Sequence, residues 1–310
     1  MVDIEIPERR RIKIAAEYFT RLTTWIDDKG KWAGLGDAKA DEMMDYIHTH
    51  DRDYFLAPAE KLKSKSEEFE NEFNREKTEY NSKKDNAKKN TSYGRFVLRM
   101  REIYKGFMQE LDSDKVKNGY WLMKKLGVKV CPYCNRNYTV TVDADEIKVR
   151  PEYDHFHPEA LYPSLILSFY NLVPSCPECN HLKLVQEIDV NPWKGYNVST
   201  RPKIKVDTSK GDFPARPVLL IENENENTEK LGIKELYNEH SDYVKDILNK
   251  IQAYNLATYR AIVKDFQGIV NTESGLERMV WGNYTKEANA NKRPFAKLTA
   301  DILEQYKKYL

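Results

Sequence analysis

The chain has 310 residues, a formal net charge of +1, 32% charged residues and 40% hydrophobic ones. That is long enough to bury a real core, in one large domain or two modest ones, and the composition excludes a disordered tail. No run approaches the roughly eighteen apolar residues of a membrane-spanning helix, and the first residues lack the apolar centre of a secretory signal. A cytoplasmic protein with reduced thiols is therefore expected.

Residues 8–27 carry Ile12, Ile14, Ala15, Tyr18, Phe19 and Leu22 at helical spacing, ending near Lys29 and Gly30. Residues 58–83, rich in Glu and Lys around Leu62, Phe69 and Phe73, predict one long polar helix that is either solvent-bridging or paired with a partner. Residues 93–126 predict two more helices, broken near Ser113 and Asp114. Across 81–130 thirteen basic residues face five acidic ones, a surplus of eight. Such a stretch either attracts phosphate or forms a solvated helix face.

The texture changes at residue 131. Two β-rich runs, Tyr138-Thr-Val-Thr-Val142 and Ile147-Lys-Val149, flank a turn at Asp143-Ala-Asp145, among loops marked by Pro132, Pro151, Pro158 and Pro163. Residues 177–187 predict a short helix, and 191–228 short extended runs among prolines. Residues 221–242 carry seven acids against Lys230 and Lys234. From about 233 to 268 the helical pattern returns through Leu236, Val244, Ile247, Leu248, Ile251, Tyr254 and Leu256. The expected fold is mainly α with an embedded small α+β motif, divided as 1–128, 129–190 and 191–310. The many Tyr and Trp residues are expected in the core rather than as base-stacking platforms.

All four cysteines fall into two pairs, Cys131-Pro-Tyr-Cys134 and Cys176-Pro-Glu-Cys179. Two such knuckles supply four thiolates for a tetrahedral structural Zn²⁺ and leave no cysteine over. Disulfides are disfavoured in the cytosol, and a redox pair does not explain the second one. The 41 residues between the pairs exceed a short zinc ribbon, so something else is built inside the loop.

Inside it run Tyr153-Asp154-His155-Phe156-His157-Pro158 and Asn171-Leu172, and after Cys179 come Asn180, His181 and Lys183. The order CxxC, DH, NL, CxxC, N and Lys over residues 131–183 resembles the HNH endonuclease family in its cysteine-bearing form. The resemblance implies a β-hairpin and a helix clamping one divalent metal, the ββα-metal motif. It makes Asp154 and Asn180 the metal ligands, His155 the general base and Asn171 the residue that holds the loop. Many relatives have a second His where Asn180 stands, and the harder amide oxygen points to Mg²⁺ or Mn²⁺. Independently of any family, phosphodiester hydrolysis needs a base that titrates near neutrality and a cation to neutralise developing charge.

Asn180 and Lys183 lie three apart on the predicted helix, so Lys183 is expected to reach a phosphate beside the metal. His181 is the fallback ligand if the helix is rotated. His157 is an accessory contact or plain polar surface, and His48, His50 and His240 are isolated. The stretch from Glu235 to His240 through Arg293-Pro-Phe-Ala-Lys297 is similar to stand-alone HNH proteins of bacterial anti-phage systems. These include the nuclease subunit of Septu-type and retron-associated defence, which implies DNA more than RNA as substrate and an ATPase partner. The rival expectation is a non-catalytic zinc-containing nucleic-acid-binding or assembly subunit.

Overall fold

Why the N-terminal half folds as it does begins with helix α1, Glu8–Asp28, which buries Ile14, Ala15, Tyr18, Leu22 and Ile26 along one stripe. Ile12 falls off that stripe and is exposed. The structure is a computed structural model describing residues 1–144, 146–254, 256–266 and 273–310. After α1 come α2 (Ala38–Thr49), α3 (Asp51–Phe55), α4 (Leu62–Glu72), α5 (Asn74–Ser82), α6 (Asp85–Lys88), α7 (Ser92–Gln109) and α8 (Asn118–Leu126). The break between α7 and α8 spans the expected Ser113 and Asp114. Asp112 fills it, its carboxylate accepting the backbone N–H groups of Asp114 and Val116.

The single long helix expected over 58–83 is two. Phe73 leaves helical geometry and turns into the core, its ring 4.9 Å from Phe69 and 5.6 Å from Tyr46. Burying that ring outweighs continuing the helix, because a phenylalanine gains about 2–3 kcal/mol from burial. α4 buries Leu62, Ser66 and Phe69, so only α5 is a polar element. α1 and α7 cross at Gly106, where a Cβ would lie 2.7 Å from the Trp25 ring. Tyr18, Tyr54, Tyr133, Tyr237 and Tyr306 are fully buried, in keeping with tyrosines as core residues.

Strands β1 (Val142–Ala144) and β2 (Ile147–Val149) form a hairpin with Val142 opposite Val149. The strand expected from Tyr138 starts only at Val142, because Tyr138 instead pairs with Val130 in a separate bridge. Asp145 of the expected turn lies outside the described residues. β3 (Glu152–His155) and β4 (Leu172–Ser175) pair antiparallel, Asp154 opposite Val173 and His155 opposite Leu172. Helix α9 (Pro177–Lys183) follows β4 directly and packs on β3. It ends four residues before the expected 187.

The C-terminal part adds a second hairpin, β5 (Lys203–Val206) with β6 (Leu219–Glu222), and helices α10 (Glu226–Lys230), α11 (Ile233–Asn238), α12 (Ser241–Ala253), α13 (Leu256–Phe266), α14 (Glu273–Trp281) and α15 (Ala296–Gln305). The helical run expected over 233–268 is thus three helices, and its last two positions lie outside the described residues. The edge of β5 is closed by side chains of α15: Asp301 and Gln305 accept the N–H groups of Ile204 and Val206, and Gln305 donates to the Val206 carbonyl. Asn238 does the same for Leu219 of β6. Such amide caps satisfy backbone groups that an exposed edge leaves open.

One continuous buried cluster runs from α1 through the cysteines to α15. No helix among the described residues is long and apolar enough to cross a membrane. Phe69→Ala is expected to cost about 3–5 kcal/mol, the usual loss for a buried phenylalanine. Denaturant unfolding checks this, and a loss under about 1 kcal/mol would contradict the packing described.

Candidate functional site

The first cysteine pair sits at the tip of a short hairpin. Cys131 N–H donates to the Asn137 carbonyl and Thr139 N–H to that of Lys129, both at 2.9 Å. The chain then reverses through Asn135, whose φ of +52° suits an asparagine better than most side chains. Asn135 N–H bonds the Cys131 carbonyl at 2.8 Å, and Arg136 N–H points at Cys134 Sγ at 3.3 Å. The second pair lies at the junction of β4 and α9, with Cys176 at the N-cap and Pro177 at the first helical position. Proline fits there because that N–H has no helical partner to lose.

The four sulfurs are buried and lie within 4.8 Å of one another, with Cys134 and Cys176 Sγ 3.9 Å apart. A tetrahedral zinc with Zn–S bonds of about 2.3 Å needs sulfurs about 3.8 Å apart. The cluster fits such an ion. Burial pushes the Cys131 thiol up, and neighbouring thiols push up Cys179. Hydrogen bonds from the other thiols, Cys131 first, pull Cys134 down, and those from Cys131 and Cys179 pull Cys176 to about 6 against the opposing one from Cys134. The four cysteines could therefore hold a metal such as zinc.

Beside this cluster β3 presents two faces, because successive side chains alternate. On the face toward α9, Asp154 is 3% exposed. Its Oδ1 accepts from Lys183 Nζ at 3.1 Å and its Oδ2 from the Tyr133 hydroxyl at 2.6 Å. One pair further along, Glu152 Oε2 accepts from Asn180 Nδ2 at 2.7 Å. Lys183 is fully buried, and its Nζ also donates to the His155 carbonyl at 2.7 Å. Burial lowers the Lys183 pKa and Asp154 opposes that shift. The structure turns Lys183 inward, away from the solvent where a phosphate was expected to meet it.

The His155 ring lies on the other face, edge-on to Tyr104 with ring centres 4.8 Å apart. Its Nε2 bonds the Ile166 carbonyl at 3.0 Å. The ring is half-buried, and its Nδ1 has no hydrogen-bond partner among the described residues. Burial lowers the His155 pKa, against the pull of Glu159 and Asp154. Burial thus favours the neutral imidazole.

Asn171 is fully buried and fastens the loop between β3 and β4. Its Oδ1 accepts from His157 N–H at 2.7 Å, and its Nδ2 donates to the carbonyls of His157 and Leu165, both at 3.1 Å. His157 packs against Phe156 and Tyr162 and lines an open cavity of about 530 Å³ with Lys63, Glu187, Asp189 and Lys194. His181 faces solvent on the far side of α9.

The structure thus brings the four cysteines together and joins Asp154 to Lys183. It places Asn180 on Glu152 and His155 on the opposite strand face. Tyr133, Glu152 and Tyr104 are site residues that motif order did not single out. Glu152 was legible as the residue two before Asp154 on a strand, and Tyr133 as the residue inside the first knuckle. The basic stretch is largely engaged internally. Arg95 and Arg99 donate to carbonyls of the 31–35 loop, and Arg101, Lys124 and Lys125 pair with Glu159, Asp143 and Glu17.

No protein-family model, curated protein or solved structure matches the chain.

Burial lowers His157 from the ordinary 6.5 to about 4. Above pH 6.5 both folded and unfolded chains hold it neutral. Below that, the unfolded chain takes a proton that the folded one refuses, so stability is lost as pH falls from 6.5 to 4. The total is about 3 kcal/mol. Unfolding curves at pH 7, 6 and 5 should show a shallower decline for His157→Gln, and an unchanged decline would contradict the assignment.

Proposed function

We propose that the chain is a phosphodiester hydrolase of the HNH endonuclease class, acting on nucleic acid and on DNA ahead of RNA. In this reading it serves bacterial anti-phage defence beside an ATPase, and the cysteine cluster carries a structural zinc. Two things support it: the order of residues over 131–183, and the arrangement of β3, β4 and α9 as two strands and a helix braced by four thiols. The observation that carries it is His155, whose half-buried ring has one nitrogen fixed by a backbone carbonyl and the other without a partner among the described residues.

That geometry suits a general base. The Ile166 carbonyl accepts the ring N–H, which fixes the tautomer and leaves a lone pair on Nδ1. An imidazole there would take a proton from the attacking water as its oxygen bonds to phosphorus, and the P–O3′ bond breaks with the leaving 3′-oxygen protonated by a solvent water. Asn171 positions the base by clamping the loop that supplies Ile166. The family resemblance calls for Mg²⁺ or Mn²⁺ on Asp154 and Asn180, a charge that would neutralise the phosphate. As arranged here these two side chains do not fit one ion, because Asp154 is taken by Lys183 and Tyr133 and the Asn180 amide group faces Glu152.

The same arrangement favours a second reading, a zinc-containing binding or assembly subunit that does not cut. It predicts nucleic-acid binding without hydrolysis. Incubation with plasmid, single-stranded DNA and RNA under Mg²⁺, Mn²⁺ and EDTA separates the two. Wild type should cut with metal only, and His155→Ala should lower the rate by about 10²–10⁴ while the fold persists. Equal cutting by the variant would overturn the role of His155, and binding without any cutting would favour the second reading.

A further inference from the structure

The hairpin of β1 and β2 leaves one of its two faces uncovered. Val142 stands opposite Val149 and Ala144 opposite Ile147, so these four share a face. The alternation of exposed and covered residues continues back through Val140 to Tyr138. All six are exposed, the five large ones from 39% at Val142 to 61% at Ile147. The opposite face is fastened to the body of the molecule. There Asp143 accepts from Lys124 of α8 at 3.1 Å and from Lys148 across the hairpin. Thr139 is buried, its hydroxyl donating to the Val128 carbonyl at 3.0 Å.

Five large apolar side chains and Ala144 therefore form a strip that carries no charge. It presents roughly 500 Å² to water, a patch size that marks a binding surface on a soluble chain. A two-stranded hairpin with an open apolar face is also marginally stable by itself, and a second layer laid on that face stabilises it. Charge marks the two ends of the strip. Glu146 is exposed at the turn, and Lys129 is exposed at the base, where its carbonyl accepts the Thr139 N–H. Neither side chain has a partner among the described residues. Extended chain from Tyr138 to Ala144 sets the two ends roughly 20 Å apart, the length of the strip.

We propose that this face docks on the same face of a second copy of the chain, the two hairpins stacked antiparallel about a two-fold axis. A second copy suits it in three ways. The strip is uncharged, so it meets itself without like-charge repulsion. Two such strips bury roughly 1,000 Å² together, the least that a specific interface needs. A two-fold axis across the strip sets the tip of each hairpin on the base of the other, so that Glu146 meets Lys129 twice. An interface of this size forms at micromolar concentrations. The inference is independent of the nuclease reading.

The test is sedimentation velocity of the full chain over a concentration series. Wild type should pass from monomer to dimer between about 1 and 200 µM. Ile147→Lys sets a charge in the middle of both strips and should weaken the dimer by about a hundredfold or more, leaving a folded monomer. Lys129→Glu should weaken it by about threefold or more, and adding Glu146→Lys should restore the wild-type affinity. A wild type that stays monomeric throughout overturns the proposal, as does a dimer that Ile147→Lys leaves intact. Failure of Ile147→Lys to fold also overturns it, because a face open to water tolerates the charge. A dimer that Ile147→Lys breaks but the charge reversals do not affect overturns the antiparallel stacking.

Discussion

Four thiols gathered in one buried cluster are the constraint on which the rest of the structure depends. The cluster joins two chain segments 41 residues apart, and the elements around it are anchored to its backbone. Val2 N–H donates to the Pro132 carbonyl, and the Tyr237 hydroxyl to that of Cys134. Asn135 accepts the Lys297 N–H on its side chain and the Phe295 N–H on its carbonyl, and donates to Ala290. N-terminal chain, central motif and C-terminal helices therefore converge on one knuckle. A metal held there would add its binding free energy to folding and so help a four-residue strand pair and a seven-residue helix hold a fixed shape.

That stapled unit separates two kinds of chemistry across one strand. Toward α9 the polar groups bond one another, Asp154 and Lys183 buried and Glu152 and Asn180 half-buried. On the other face the half-buried His155 ring rests on the Ile166 carbonyl. Pairing on the first face serves stability, since an unpartnered Asp154 so deeply placed would be costly. Bridging both is Lys183, whose Nζ touches Asp154 and the backbone carbonyl of His155 together.

Much of this was legible in the sequence because it rests on local rules. The apolar stripe of α1, the gap between α7 and α8 and the pairing of the cysteines follow from periodicity, turn chemistry and ligand spacing. The break at Phe73 did not, since it arises from long-range packing against Tyr46 that no window of residues contains. Nor did the closing of β5 and β6 by side chains of Asp301, Gln305 and Asn238, which depends on helices distant in the chain. Reading Asn180 and Lys183 as neighbours on one helix face was sound geometry, but what that face meets is set by the docking of α9 on β3. Consecutive Asp154 and His155 do announce opposite strand faces, so their divergence was readable from period two alone.

The most direct test is X-ray absorption at the zinc edge, with metal content measured on the chain as purified. One zinc per chain, bound by four sulfurs at about 2.3 Å, is the predicted result. A folded chain without bound metal, or a zinc with nitrogen or oxygen among its ligands, would contradict the account.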